Sequence, residues 1–245
     1  MFLLPSSHWE VRGTKHKGKG VFAKKDIEAG TVIGDYIGKV IHPKDEQRFE
    51  KKLGFYSMYY HNNATIFPDI KKDGIHVINH SCTPNCWMST YRGHTLYFSI
   101  RKIFKGEELT ISYLLGPQDD SCKPCDHQCK CESTVCSQTM HTAQKKFDAW
   151  CRHDDKKSMQ TKSEPVKMGK TLPMLSSYPK TILDHALYTL FGAQYKKAAV
   201  YKDTTPPHRK ELRKRIRKTG RRIYFKNLGT TVIGISDGVI FSKSL

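Results

Sequence analysis

The chain contains no stretch approaching the roughly 18 consecutive apolar residues that a membrane-crossing helix needs, which excludes a helical span on the sequence alone. Its start, MFLLPSSHWE, lacks both a basic leader and an apolar run of signal-peptide length, so a soluble, intracellular protein is expected. Hydrophobic residues make up only 38% of the 245 positions, which favours one domain with a real core plus a smaller appendage over one large core. Acidic residues are also scarce. Against 42 Lys and Arg there are 23 Asp and Glu, a formal net charge of +19. Such an excess speaks about partners and not about fold, and it brings nucleic acid or another polyanion among the candidate partners. The Gly-rich stretch Lys17-Gly18-Lys19-Gly20 has no third glycine and no helix pattern behind it, and it contains no Gly-Lys-Ser/Thr. Those absences exclude a dinucleotide fingerprint and a phosphate loop.

From Trp9 to Tyr113 the sequence alternates short β-rich runs with turn residues: GVFAKKDIEAGTVIGDYIGKVI, ATIFPDI, GIHVINH, TLYFSIRKI and ELTISYLL. Their Val, Ile, Tyr and Phe content between Gly, Asp, Asn and Pro predicts many short strands. One helix is expected at Lys44 to Leu53, opened by Pro43 and stopped by Gly54. This half is therefore mainly β with few helices. Five of the eight cysteines crowd between Cys122 and Cys136, in a stretch without apolar periodicity. In a reducing compartment they read as metal ligands or free thiols and not as disulfides. The polar stretch from Arg152 to Lys170 predicts a mobile linker. A small basic α+β unit is expected beyond it, with helices at Ile182 to Phe191 and from His208 to about Lys218, then strands with an Asp237-Gly238 hairpin turn.

Two further constellations carry more information than the glycine loop, which a plain tight turn would explain. The first is Asn79-His80-Ser81-Cys82-Thr83-Pro84-Asn85-Cys86, where polar groups follow an apolar run and must find partners if buried. The second is Gly106-Glu107-Glu108-Leu109-Thr110-Ile111-Ser112-Tyr113. Together with Gly18 to Gly20, Tyr36-Ile37-Gly38 and Pro68-Asp69, all in the same order, these blocks resemble the SET-domain protein-lysine methyltransferases. The resemblance runs from about His8 to Met140.

The resemblance implies a β-clip, threaded and knot-like SET fold over 8–116 and a post-SET cysteine segment over 122–140; beyond it, composition alone gives a linker over 141–180 and a basic C-terminal unit over 181–245. It implies S-adenosylmethionine as cofactor, bound by Lys17, Gly18, Lys19, Gly20, Asn79, His80 and Tyr113. Tyr113 matches the family's catalytic tyrosine, and Tyr36 matches an active-site tyrosine bordering the lysine channel; a core aromatic is the other reading of Tyr36. Cys129, Cys131 and Cys136 match the post-SET spacing, and the family completes a zinc tetrahedron with the cysteine of the Asn-His-Ser-Cys block, here Cys82. Cys122 and Cys125 with His127 and Cys129 offer a competing site, or stay unligated. Cys151 is set apart.

There are departures from the family pattern. Lys39 stands where Glu is common, His76 stands near the usual Arg, and the spacing from Asp69 to Asn79 is short. Ile111 occupies a position where an aromatic often tunes how many methyl groups are added, and no cysteine-rich segment precedes the domain. The implied activity is transfer of a methyl group to a lysine of a protein, with a histone tail or nucleosome as the expected partner and the nucleus or chromatin as the expected location. Two other readings stay open: a catalytically silent SET-like module bound to nucleic acid or chromatin, and a zinc-organised nucleic-acid-binding protein. The run from His208 to Lys226 has Glu211 as its single acid, which makes it a candidate phosphate-binding segment.

Overall fold

The structure, a computed structural model, describes residues 1–54, 56–61, 64–120, 122, 124–133, 136–160 and 165–182, with the backbone of 223–226, 231–236 and 239–244. Thirteen strands and two α-helices are assigned among them, in keeping with the mainly β expectation. Strand β1 (Trp9–Gly13) and β2 (Lys19–Ala23) form an antiparallel hairpin in which Gly13 faces Lys19. The turn between them is closed by Thr14, whose hydroxyl donates to the Gly18 carbonyl at 2.9 Å and accepts from the Lys17 amide at 2.9 Å. Gly18 sits at φ +71°, in the left-handed region that a side chain disfavours.

Strand β3 (Val32–Asp35) is followed by β4 (Lys39–Ile41) and helix α1 (Pro43–Leu53), which begins one residue before the expected Lys44 with Pro43 in its first turn and ends before Gly54 as expected. Strands β5 (Met58–His61) and β6 (Ala64–Phe67) come next, in a sheet of order β4-β6-β5. A 3₁₀ turn at Ile75–Val77 leads into the two-residue β7 (Asn79–His80). Strands β8 (Cys86–Tyr91) and β9 (His94–Ser99) form a hairpin whose second strand pairs with β3. Then β10 (Glu108–Ile111) inserts between β2, antiparallel, and β7, parallel. The order β1-β2-β10-β7 lays the glycine loop, the Gly-Glu-Glu-Leu-Thr block and Asn79-His80 side by side. The core beneath is aliphatic, with Val21, Ile33, Val40, Ile66, Ile78, Leu109 and Ile111 all nearly sealed from solvent. Ile111 is therefore a core residue.

The stretch 141–180 is corrected relative to its reading as a linker. Helix α2 (Gln144–Gln160) packs against β8, and Thr90 donates from its hydroxyl to Asp154 at 2.7 Å. Residues 165–182 then run along the sheet edges, with a turn at 167–170. The Val40 amide donates to the Lys170 carbonyl, the Leu172 amide to Gly38 and the Ile182 amide to Gly30, while Leu172 is buried in the core. Tyr178 donates its hydroxyl to Asp35 at 2.8 Å, beside the buried His94 that bonds the same oxygen. Backbone pairing of this kind leaves no trace in residue polarity, which is all that a linker reading uses. Strands β11 (Ile223–Lys226), β12 (Thr231–Ser236) and β13 (Val239–Ser244) form an antiparallel sheet, with Ser236 facing Val239 across the position of the expected Asp237-Gly238 turn. The helices expected at 182–191, beyond Ile182 itself, and at 208–218, and the turn residues themselves, lie outside the described residues.

The 79–86 segment is stitched to β10 by a buried side chain. Asn85 donates from Nδ2 to the Glu108 carbonyl at 2.7 Å and accepts the Thr110 amide at Oδ1 at 2.8 Å. No aliphatic residue can replace both bonds. Asn85→Ala is expected to destabilise the protein by about 2–4 kcal/mol, since two buried backbone groups lose their partners. Urea denaturation would show it as a lowered midpoint with an unchanged slope.

Candidate active site

Glu108 ties together the elements around the site. Its carboxylate is 5% exposed; Oε2 meets the Lys17 ammonium at 2.6 Å, and Oε1 accepts from Asn79 Nδ2 at 2.8 Å. The same Asn79 amide donates to the Lys19 carbonyl at 2.8 Å. Gly20 is required here by packing, because a Cβ would lie 2.6 Å from Glu108 Oε1 and 2.9 Å from Asn79 Nδ2. Lys17 is 15% exposed, so this ion pair is largely shielded from water, unlike the half-exposed His16–Glu132 contact.

His80 accepts the Tyr113 amide at Nδ1, at 3.1 Å, which leaves its proton on Nε2, facing Cys82 Sγ at 3.6 Å. Burial lowers the imidazole to about 4, with Lys17 acting in the same direction and Cys131 opposing it, so His80 is neutral at physiological pH. Tyr113 stands two residues past the end of β10, is 39% exposed and edge-on to the His80 ring, and donates its hydroxyl to the Ile78 carbonyl at 3.3 Å. Its hydroxyl is the enclosed end of the side chain, and burial pushes the phenol up to about 12.

These residues line one side of a cleft of about 440 Å³: Lys17, Asn79, His80 and Tyr113. The facing wall is Cys125, Asp126, Gln128, Lys130 and Met140, from the cysteine-rich segment. The volume lies in the range of small-molecule sites. Gly18, Lys19 and Gly20 do not line it; they stand behind Lys17 and shape the turn that presents it. Tyr36 is also elsewhere. It is 5% exposed in the core, stacked on Tyr97 at 6.0 Å, with its hydroxyl donated to the Tyr56 carbonyl, and burial raises its phenol further, the hydroxyls of Tyr113 and Tyr56 adding to the effect.

The cysteines resolve into two sets. The sulfurs of Cys82, Cys129, Cys131 and Cys136 lie within 4.8 Å of one another, with Cys82 3.6 Å from Cys129 and 3.9 Å from Cys136. Backbone amides of Ser137 and Gln138 donate to Cys82 and Cys136, a bond type that favours thiolates. Four thiols this close share little negative charge without a cation: the Cys131 thiol is held down by its Cys129 and Cys82 neighbours, while those of Cys82 and Cys129 are pushed up. This donor set suits a tetrahedral zinc, whose charge would deprotonate all four. The second set is Cys122, Cys125, His127 and His141. Cys129 thus belongs with Cys82, and His141 takes the place it held in the competing reading. The sequence reading missed His141, which lies just beyond the cysteine segment, and Glu108, whose partners are 91 and 29 residues away in the chain. Cys86 is fully buried, with its thiol pushed up, and Cys151 lies on α2.

Comparison with known proteins agrees with this layout. The SET domain family matches residues 18–114. The chain is 31% identical over 128 residues, 49% of its length, to histone-lysine N-methyltransferase trithorax of Drosophila virilis, and covers 3% of that protein. It is 36% identical over 136 residues to the H3 lysine-36 specific histone-lysine N-methyltransferase of Saccharomyces cerevisiae, covering 50% of this chain and 18% of that one. Human histone-lysine N-methyltransferase 2B is 33% identical over 119 residues, 44% of this chain and 4% of that protein. The chain therefore spans only a small part of the length of the relatives it matches. The shared part is the one that holds the glycine turn, Asn79-His80 and Tyr113 together: residues 18–114 are a SET domain.

Proposed function

We propose that this protein is a protein-lysine N-methyltransferase that uses S-adenosylmethionine and acts on a histone or chromatin-associated protein. The observation that carries the reading is the convergence of Lys17, Asn79, His80 and Tyr113, from three distant stretches of sequence, on one side of a single cleft. The names of the relatives, all histone-lysine N-methyltransferases, support it. Lys17, Asn79, His80 and Tyr113 would hold the cofactor, with Gly18 to Gly20 shaping the turn beneath it. S-adenosylmethionine supplies an electrophilic methyl group on a sulfonium centre.

The protein's part is alignment and desolvation. A lysine amine with an unperturbed pKa near ~10.4 is almost wholly charged at neutral pH, and a dry channel next to a cation disfavours that charge. Tyr113, its phenol raised to about 12, stays protonated and orients the amine as a hydrogen-bonding group rather than as a base. Tyr36, also held protonated, would close the channel from the core side. No side chain is needed as a general base, since the amine can lose its proton to water. The thiol set of Cys82, Cys129, Cys131 and Cys136 would hold a zinc that fixes the facing wall, because Cys129 belongs both to that set and to the cleft lining. Among the described residues no helix is long and apolar enough to cross a membrane. A chromatin location follows from the proposed substrate.

Radiolabelled methyl transfer to histones, nucleosomes and cell extract tests the activity. Tyr113→Phe is expected to cut turnover at least ~100-fold, about 2.7 kcal/mol of barrier, in a protein that remains folded. Near-native turnover by the folded variant would remove Tyr113 from its role, and native protein that methylates nothing while binding chromatin would favour the silent module.

The basic run at 208–226 is the proposed nucleic-acid contact, which would bring the enzyme to the DNA around a basic histone tail that its own +19 charge repels. Log affinity for duplex DNA should then fall linearly with log salt, at ~0.9 per neutralised phosphate. Changing Arg213, Lys214, Arg215, Arg217 and Lys218 to Gln should flatten that slope. An unchanged slope would place DNA contact elsewhere.

A further inference from the structure

The geometry points to a second, independent zinc site, made of Cys122, Cys125, His127 and His141, that anchors the outer wall of the cleft to the exit of β10. Zinc–sulfur bonds near ~2.3 Å and zinc–nitrogen bonds near ~2.0 Å at a tetrahedral angle put sulfur and nitrogen about 3.5 Å apart. Here Cys122 Sγ lies 3.2 Å from His127 Nδ1 and 3.3 Å from His141 Nε2, and Cys125 Sγ lies 3.8 and 3.4 Å from the same two atoms. The two rings stand at 88° with centroids 5.0 Å apart, so the two nitrogens approach one point from different directions. All four ligand atoms lie within 4.8 Å of one another.

The second observation is the hydrogen bond on the far side of His141. Its Nδ1–H donates to the Gly116 carbonyl at 2.7 Å, which fixes the tautomer and leaves Nε2 as a lone-pair donor aimed at the sulfurs. Metal-bound histidines are oriented in this way by a carbonyl or carboxylate. A mixed sulfur and imidazole set of this shape selects zinc over magnesium or calcium. On binding, a zinc dication takes two thiolates and two neutral imidazoles. Two thiol protons pass to solvent and the site becomes neutral overall, whereas the all-cysteine site would carry two negative charges.

The chain explains what the site holds together. The Cys129 amide donates to the Gln138 carbonyl and the Met140 amide to the His127 carbonyl, so 127–129 and 138–140 form a narrow hairpin. Cys129 and Cys136 lie toward one end of it, in the all-cysteine set; His127 and His141 lie at the other. His141 also bridges Leu115, and the Thr142 amide donates to the Leu115 carbonyl, two residues past Tyr113. Metal at both ends would clamp the hairpin whose middle faces Tyr113 across the cleft. This stretch has little apolar side chain to organise it otherwise, so the metals would take the place of a core.

The test is metal content of the purified full-length chain by plasma mass spectrometry, which does not depend on any activity. Native protein should hold two zinc per chain. His141→Ala and Cys131→Ser should each hold one, and cobalt-exchanged His141→Ala should lose the absorption of a mixed sulfur–nitrogen site while keeping that of the all-sulfur site. His141→Cys restores a ligand and guards against a folding defect; it should return to two metals with a shifted cobalt spectrum. One zinc in native protein, two in His141→Ala, or a His141→Cys spectrum identical to native would overturn the proposal. Loss of methyl transfer with two zinc retained would count against the enzymatic reading alone.

Discussion

A carboxylate buried to 95% needs compensation, and Glu108 finds it in the two stretches of chain that most need holding. One oxygen takes the Lys17 ammonium of the glycine turn, and the other takes the Asn79 amide of the short strand β7. Removing Lys17 would leave an unpaired buried charge, a cost of about 3–5 kcal/mol, and removing the Asn79 amide would leave a buried carboxylate oxygen without its donor, a cost of about 1–3 kcal/mol, so the junction holds the three segments together. The strand order β1-β2-β10-β7 is the backbone expression of the same constraint, with β10 in the middle and Tyr113 at its exit. Gly20 has no room for a side chain because this junction is packed against it.

Opposite that junction the physics changes. The domain proper is held by an aliphatic core, but the described residues of 117–142 contribute little to it. Their order rests on sulfur, imidazole and backbone hydrogen bonds, at two clusters a few residues apart. One side of the cleft is therefore set by hydrophobic burial and one shielded ion pair. The other depends on ligand atoms whose repulsions or protons must be relieved by a cation. Retention of metal and integrity of the cleft wall are linked by this arrangement.

Much of this was legible in the sequence. Alternating β-branched runs announced the strands, Pro43 and Gly54 marked the ends of α1, and Cys82 was grouped with Cys129, Cys131 and Cys136, whose sulfurs do converge. What escaped were relations between distant residues of ordinary appearance. Glu108 is one of two adjacent acids, and nothing local separates it from Glu107, which turns to Arg101 instead. His141 is set apart only by a carbonyl at Gly116. The 141–180 stretch looked like a linker because its composition is polar, yet α2 packs on β8, and 165–182 attaches mainly through backbone bonds, which composition does not record. Tyr36 matched a family position, and its side chain lies in the core stacked on Tyr97, near Tyr113 and Tyr56, not on the cleft.

The central claim is that Glu108 assembles a cleft for S-adenosylmethionine. Titration calorimetry of the native chain with this cofactor should show one binding event, and Glu108→Gln, which keeps the volume but removes the charge facing Lys17, should bind at least about tenfold more weakly, roughly 1.4 kcal/mol, with its metal content unchanged. A native chain that takes up no cofactor, or a Glu108→Gln variant that binds it as tightly as native, would contradict the account.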